Sequence, residues 1–316
     1  MKNRKLGSTG LEVSEIGCGT WGLSGTTNDN FAYGPTTDET SIQTLRSALE
    51  AGVTFYDTAD LYGWGHSEKL LGEAFAGHRD RVVIASKVGY TSPEGAQDFS
   101  SDHIRRSLEN SLERLRSGHI DLYLLHDPPL AAVPGALPIL ESLQREGSIR
   151  AFGISARSPQ DALAAVKDHG VRAVQFNFNL VDQRAVDIGL FETCVELGAG
   201  TILRTPLCFG FLSKGLKGFE FHDRDRRKKW SPAQAECWTQ APDLFFGGLR
   251  DGASQTPAQL SLRYCLSFPG TSTVIPGMML PEHVAENTEA SRQGPFTAEE
   301  LAHIRHVYTT NEFFVK

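Results

Sequence analysis

Eight short runs rich in Val, Ile, Phe and Tyr recur along the chain, and longer stretches of helical period separate them. The runs cover residues 16–20, 53–57, 82–86, 120–125, 149–154, 172–176, 200–204 and 271–275. Most are apolar throughout and do not alternate, the pattern of parallel strands buried on both faces. Eight βα units with right-handed crossovers predict an α/β fold, a (β/α)8 TIM barrel, with an open doubly wound sheet as the alternative. At 316 residues the chain fits one barrel domain spanning 1–316.

Helix starts support the count. In 101–116, Ile104, Leu108, Leu112 and Leu115 share one face. Ser158-Pro159 and Thr256-Pro257 place a capping hydroxyl before a first-turn proline, and Thr297 with Glu300 forms a capping box. Gly52 suits a helix stop. Segment 4–14 reads as a hairpin turning at Ser8-Thr9-Gly10, placed to cap the barrel bottom. Two connections break the rhythm: 23–36 after strand one, and the long 206–255 after strand seven with Trp230 and Trp238. The second reads as a loop forming a substrate lid, because long loops in compact domains are usually functional or disordered.

Composition narrows the function. The formal charge is −7 and no apolar run spans a bilayer, which argues against nucleic-acid or membrane partners. Cys18, Cys194, Cys208, Cys237 and Cys265 are odd in number and widely spaced, as in a reduced, cytoplasmic protein without a disulfide frame. The basic N-terminus lacks the apolar region of a signal peptide. The histidines include no H-x-x-x-H or H-x-H pair, so no metal is expected.

Gly17-Cys18-Gly19-Thr20-Trp21-Gly22 fits G-x-G-x-x-G, with Asp38 at about the right distance for a dinucleotide fingerprint. That motif needs a helix opening at its third glycine. Here 23–36 has no helical period, so the match is declined, and the small residues are read as packing at a barrel mouth.

Three strand ends carry chemistry. Strand two runs into Asp57 and Tyr62, strand three ends with Lys87, and strand four ends with His126. Singly, each has a plainer reading: a helix cap, loop packing, a rim lysine, a structural histidine. Together they sit at matched ends of adjacent strands, where barrel side chains converge. A phenol titrates near 10, and an ammonium beside it favours the phenolate. An aspartate keeps the lysine charged, and a histidine aims a carbonyl. The set suits proton delivery to a carbonyl oxygen while hydride arrives at carbon. No side chain stores a hydride, so a nicotinamide is implied.

At this point the sequence resembles the aldo-keto reductase superfamily over nearly its whole length. The resemblance rests on Arg4-Lys5-Leu6-Gly7, Gly10-Leu11-Glu12-Val13-Ser14, Gly52 through Ala59, Tyr62-Gly63, Ser67-Glu68, Ser86-Lys87, Asp121 through His126, Gly153-Ile154-Ser155, Ile275-Pro276-Gly277 and Glu286-Asn287. It implies a barrel that interconverts carbonyls and alcohols with NADP(H) or NAD(H). Asp57, Tyr62, Lys87 and His126 match the catalytic tetrad, with Tyr62 as general acid. Ser155 and Gln175 match the residues that hold the nicotinamide carboxamide, with Ala156 where Asn is common. Arg204 stands where an aromatic residue usually stacks on the ring. Pro206, Leu207, Gly210, Leu212 and Lys214 match the segment over the pyrophosphate, and Glu286 and Asn287 match adenine contacts. Gly19, Thr20, Trp21, Asp57, Ile275, Gly277 and His283 complete the expected cofactor set.

The stretch 276–283 lacks the Lys or Arg that pairs with a 2′-phosphate in NADP(H)-preferring relatives, leaving His283, backbone amides, Ser272 and Thr273 to compensate. Family habit still leans toward NADP(H). The expected pocket walls are Trp21, Tyr62, Trp64, Tyr90 and His126, together with the lid, around a small-molecule carbonyl or alcohol. Three functions follow: a carbonyl reductase, an NAD-dependent sugar or alcohol dehydrogenase, and, from another class, a cofactor-binding sensor or partner subunit.

Overall fold

Both faces of the central strands are buried, as their unbroken apolar runs require. The computed structural model describes residues 1–25, 32–213, 216, 218–247, 249 and 254–315. A hairpin of β1 (Asn3–Lys5) and β2 (Glu12–Ser14) precedes eight parallel strands. These are β3 (Cys18–Gly19), β4 (Phe55–Asp57), β5 (Val83–Val88), β6 (Ile120–His126), β7 (Ile149–Ser155), β8 (Ala173–Asn177), β9 (Gly200–Arg204) and β10 (Thr273–Ile275). They pair in sequential order from β3 to β10. The two edges meet through parallel bridges of Ile16 with Val274 and Gly19 with Gly277. The structure is the expected (β/α)8 barrel and not an open sheet.

Helices α1 (Asp38–Glu50), α2 (His66–Ala74), α3 (Ser101–Leu115), α4 (Val133–Arg145), α5 (Pro159–His169), α6 (Arg184–Asp187) and α7 (Leu190–Leu197) follow in order. After β9 come α8 (Pro232–Phe246) and α9 (Pro257–Leu266), and after β10 come α10 (Pro281–Gln293) and α11 (Ala298–Thr310). The caps read from the sequence are in place. Ser158 Oγ accepts the Asp161 N–H, and Thr256 and Thr297 each close a full capping box. Gly52 follows α1 at φ 88°, a left-handed stop.

Two apolar layers hold the barrel. Outward side chains such as Tyr56, Ile84, Tyr123, Ile154 and Val174 pack in the large cluster shared with the helices. Inward side chains Phe55, Ala85, Leu122, Leu124, Ala151, Ala173, Ile202 and Ile275 form a separate cluster in the lumen. Leu6, Leu11 and Val13 of the hairpin join this inner cluster, so the hairpin caps the barrel bottom as expected. It fits closely: a Cβ on Gly200 would lie 2.6 Å from Leu6 C.

The connection after β9 differs from its reading as a long loop. It contains α8, a 15-residue helix capped by Ser231 with Pro232 in its first turn. Trp238 on α8 donates its indole N–H to Phe313 O at 2.7 Å, and Trp230 packs on Phe209 at 4.4 Å between centroids. The two tryptophans therefore anchor the insertion. Among the described residues no helix is long and apolar enough to cross a membrane.

Truncating Leu6, fully buried in the lumen cluster, to alanine should cost about 2–5 kcal/mol of stability. A denaturant midpoint indistinguishable from wild type would show that the hairpin does not hold the barrel bottom.

Candidate active site

The two-residue period of a strand carries the lumen pattern upward into polar chemistry. Two residues beyond inward Phe55 stands Asp57, beyond Ala85 stands Lys87, and beyond Leu124 stands His126. In the same way Gln175 follows Ala173 and Arg204 follows Ile202. Lys87, His126 and Ser155 lie within β5, β6 and β7, beyond the strand ends read from the sequence. These groups thus stand on rigid strands at the C-terminal mouth. Tyr62 comes from the loop between β4 and α2. Thr58 N–H donates to Ala85 O at 2.8 Å and Asp60 N–H to Lys87 O at 3.4 Å, which ties that loop to β5.

The structure brings the four expected residues together. Lys87 Nζ donates to Asp57 Oδ1 at 2.6 Å, to Thr58 O at 2.7 Å and to Tyr62 Oη at 3.1 Å. Lys87 is 0% exposed and Asp57 2%. His126 stands edge-on to Tyr62 at 6.0 Å and to Tyr90 at 5.0 Å between ring centroids. Its Nδ1 is buried and has no hydrogen-bond partner among the described residues.

Burial pushes the Tyr62 phenol above its usual 10; Lys87 pulls it down, and Asp57 pushes it up again. The lowering expected from Lys87 is present but outweighed. Burial also works against charge on Lys87, yet Asp57 and Tyr62 together more than offset it and its pKa rises. His126 is held well below 6.5 by burial and then by Lys87 and Arg204, so it is neutral at physiological pH. The outcome is a protonated phenol whose oxygen accepts from an ammonium, leaving its own hydrogen free to donate.

The other expected positions form a continuation of this set. Ser155 Oγ donates to Gln175 Oε1 at 2.9 Å, and Gln175 Nε2 donates to Asp57 Oδ2 at 2.6 Å. Arg204 donates from Nη2 to Ala156 O at 2.9 Å and lies 3.6 Å from Asp127 Oδ1, while its Nε is buried and unpartnered among the described residues. Thr20 Oγ1 reaches Asp57 O at 2.9 Å. Gly19 lets β10 approach: a Cβ there would sit 3.0 Å from Ile275 O. Pro206 and Leu207 lie within, and Gly210 and Leu212 just after, a strained turn in which Thr205, Cys208 and Phe209 all have positive φ. Gly277, Glu286 and Asn287 lie beyond β10, the last two on α10. Lys214 lies outside the described residues.

One expectation changes. Ser272 and Thr273 stand at the start of β10, the bottom of the barrel, where Ser272 Oγ accepts Thr201 N–H and Thr273 Oγ1 donates to Ser14 O. They are remote from the mouth and cannot replace a missing cation. His283 Nδ1 accepts the Met279 N–H at 3.2 Å, so that ring nitrogen is taken up by the backbone in the one stretch where a cation was sought. Trp64 is 38% exposed at φ 51°, unlike half-buried Trp21. Tyr33, not singled out from the sequence, packs edge-on against Trp21 at 5.0 Å, and Arg227 lies 5.1 Å over its ring. No local pattern marks it, because Arg227, which lies over its ring, is almost two hundred residues away.

With this geometry in hand, comparison with known proteins is direct. Residues 15–309 match the model of the Aldo/keto reductase family. Aldo-keto reductase YhdN of Bacillus subtilis is 30% identical, covering 89% of this chain and 86% of that relative. Probable aldo-keto reductase 1 of Glycine max is 33% identical, covering 90% and 83%. The holo form of aldo-keto reductase AKR11C1 from Bacillus halodurans superposes with a TM-score of 0.81 at 28% identity, covering 99% and 98%.

Replacing Lys87 with Met strands the Asp57 carboxylate in a site where, among the described residues, Gln175 is its remaining donor. A loss of about 3–5 kcal/mol is expected, with part of it recovered by adding Asp57→Asn. Equal unfolding midpoints for Lys87→Met and wild type would contradict the buried pair.

Proposed function

The chain belongs to the aldo/keto reductase family, and we propose that it is an NAD(P)-dependent oxidoreductase interconverting an aldehyde or ketone and an alcohol, with residues 1–316 acting as one domain. The observation that carries this reading is the 3.1 Å contact of Lys87 Nζ with Tyr62 Oη inside a buried ion pair.

The cofactor-side residues suit a nicotinamide. Ser155 Oγ and Gln175 Oε1 keep acceptor capacity for the N–H groups of its carboxamide, and the unpartnered Arg204 Nε stands on the neighbouring strand. Leu207, Gly210 and Leu212 would pass over the pyrophosphate, with Gly277, Glu286 and Asn287 on the adenosine side. When bound, the nicotinamide supplies or accepts the hydride.

The chain itself handles the proton. His126, neutral at physiological pH, orients the carbonyl oxygen toward Tyr62. Tyr62 donates its phenolic proton to that oxygen as negative charge develops there. The phenolate left behind sits against the Lys87 ammonium, whose charge-assisted hydrogen bond strengthens as the proton leaves. Asp57 holds Lys87 in position and charged. In the oxidative direction the same groups work in reverse, with the phenolate taking the alcohol proton.

A second reading, an NAD-dependent dehydrogenase of a sugar or another alcohol, gains from His283. With that ring accepting a backbone N–H and no Lys or Arg in 276–283, a 2′-phosphate lacks a fixed cation there. Fluorescence titration with NADPH and NADH ranks the two. Dissociation constants weaker than about 1 mM for both would sink both readings.

Tyr62→Phe should lower turnover by about 100-fold or more while cofactor affinity stays nearly unchanged. The measurement is a screen of aldehydes, ketones and aldoses in both directions with both cofactors. Retained turnover in the variant would remove Tyr62 from its acid–base role.

A further inference from the structure

Asp127 stands one residue beyond His126 and has no part in the proton transfer above. His126 continues the lumen-facing alternation of β6, so a regular strand would turn Asp127 to the outer face. Its φ of 48° breaks the alternation. A left-handed backbone at a residue other than glycine persists only where its surroundings hold it. Here Asp127 N–H donates to Ser155 O at 2.8 Å. Gln97 Nε2 donates to His126 O at 2.9 Å and to Asp127 O at 3.2 Å, and Arg157 Nε donates to Asp127 O at 2.6 Å. Arg157 Nη2 also donates to Gln97 Oε1 at 2.6 Å, so the two clamping side chains brace each other.

The turned side chain lies between groups from two other strands. Tyr90, two residues beyond β5, donates its hydroxyl to Asp127 Oδ2 at 3.2 Å and packs edge-on against His126. From β9, Arg204 reaches past the ends of β8 and β7. Its Nη2 donates to Ala156 O at 2.9 Å and stands 3.6 Å from Asp127 Oδ1. Tyr90, Asp127 and Arg204 thus form a polar arc along the rim beside His126. The Asp127 side chain is 22% exposed there.

This arc has spare acceptor capacity. An ionised carboxylate offers about four acceptor positions. Among the described residues, the Tyr90 hydroxyl is the one group hydrogen-bonded to the Asp127 side chain. Tyr90 is protonated, since burial and then Asp127 push its pKa up to about 12, and its hydrogen is committed to Asp127. Oδ1 is buried, which leaves Oδ2 as the oxygen a ligand can reach. A wholly apolar substrate closing over that oxygen would strip its water and return nothing. A substrate hydroxyl would donate to it, and a site that hydrogen-bonds a substrate hydroxyl discriminates against the analogue lacking it.

We propose that Asp127 is a specificity-determining residue: its Oδ2 accepts a hydrogen bond from a hydroxyl close to the reacting carbonyl, so hydroxyaldehydes and hydroxyketones are the preferred substrate class. This deepens the functional reading above and rests on it, in particular on His126 orienting the carbonyl oxygen. Because His126 and Asp127 are adjacent in the chain, the carbonyl and a nearby hydroxyl of one small molecule fall within reach of both.

The test pairs glyceraldehyde with propanal, which share a carbon chain and differ in hydroxyls, using whichever of NADPH and NADH binds more tightly. Wild type should favour glyceraldehyde in kcat/KM. Asp127→Ala should cut that preference at least about tenfold, as expected for one hydrogen bond to a charged group. The cut should come from glyceraldehyde, with propanal affected far less. Differences in intrinsic reactivity between the two aldehydes enter both enzymes and cancel in the comparison. Asp127→Asn keeps the size and one acceptor oxygen but not the charge, and should cut the preference about threefold or more. It decides the matter should Asp127→Ala fail to fold.

An unchanged preference in the folded variant overturns the proposal. So does an equal fall for both aldehydes, which would mean that Asp127 only positions His126. Wild-type turnover without preference for glyceraldehyde sinks this inference alone. Wild-type turnover of neither aldehyde, nor of any other carbonyl, would sink the functional reading and this inference with it.

Discussion

The ion pair of Lys87 with Asp57 is the interaction on which the rest of the mouth depends. Both groups are almost wholly removed from water, so each would carry a heavy desolvation cost alone. The surrounding donors and acceptors offset that cost. Lys87 spends its three donors on Asp57, Thr58 O and Tyr62 Oη, and Asp57 takes a further hydrogen bond from Gln175. One satisfied network therefore links the loop bearing Tyr62 to β4, β5, β7 and β8. Removing any member leaves a buried polar group without its partner, so the residues are constrained by stability as well as by chemistry.

That network can exist because the barrel delivers its members at one level. Parallel strands in sequential register raise Asp57, Lys87, His126, Ser155 and Gln175 to the same rim, and all but Ser155 stand one step above an apolar lumen residue. The hairpin closes the opposite end with Leu6, Leu11 and Val13. The apolar plug below keeps water from reaching the pair from beneath, and polar chemistry is confined to the open face. Backbone strain follows the same division. Among the described residues, the non-glycine positions at positive φ are Trp64, Asp127, Thr205, Cys208 and Phe209 on the mouth side, with Arg116 the exception at the end of α3.

Much of this was legible in the amino-acid order. The eight apolar runs carry the fold class because a strand buried on both faces leaves no polar position to blur the pattern. The caps at Ser158, Thr256 and Thr297 are local hydrogen bonds and so are visible locally. Asp57, Lys87 and His126 stand out because each ends an apolar run, where packing alone would select no charge. The long 206–255 connection was harder. Its helix α8 is read poorly from periodicity, since Pro242 lies inside it and aromatic side chains pack on several sides.

The sequence by itself determined the barrel, the residue types at its rim and the presence of a phenol close in chain to an aspartate. Only the tertiary structure decided how those groups share charge. Burial overrides the ammonium at Tyr62, a backbone N–H occupies His283, and Thr273 turns out to face the barrel bottom. The reason is physical. A propensity or a motif depends on neighbours a few residues away, whereas desolvation and Coulomb energy depend on every group within several ångströms, and folding alone assembles those from distant parts of the chain.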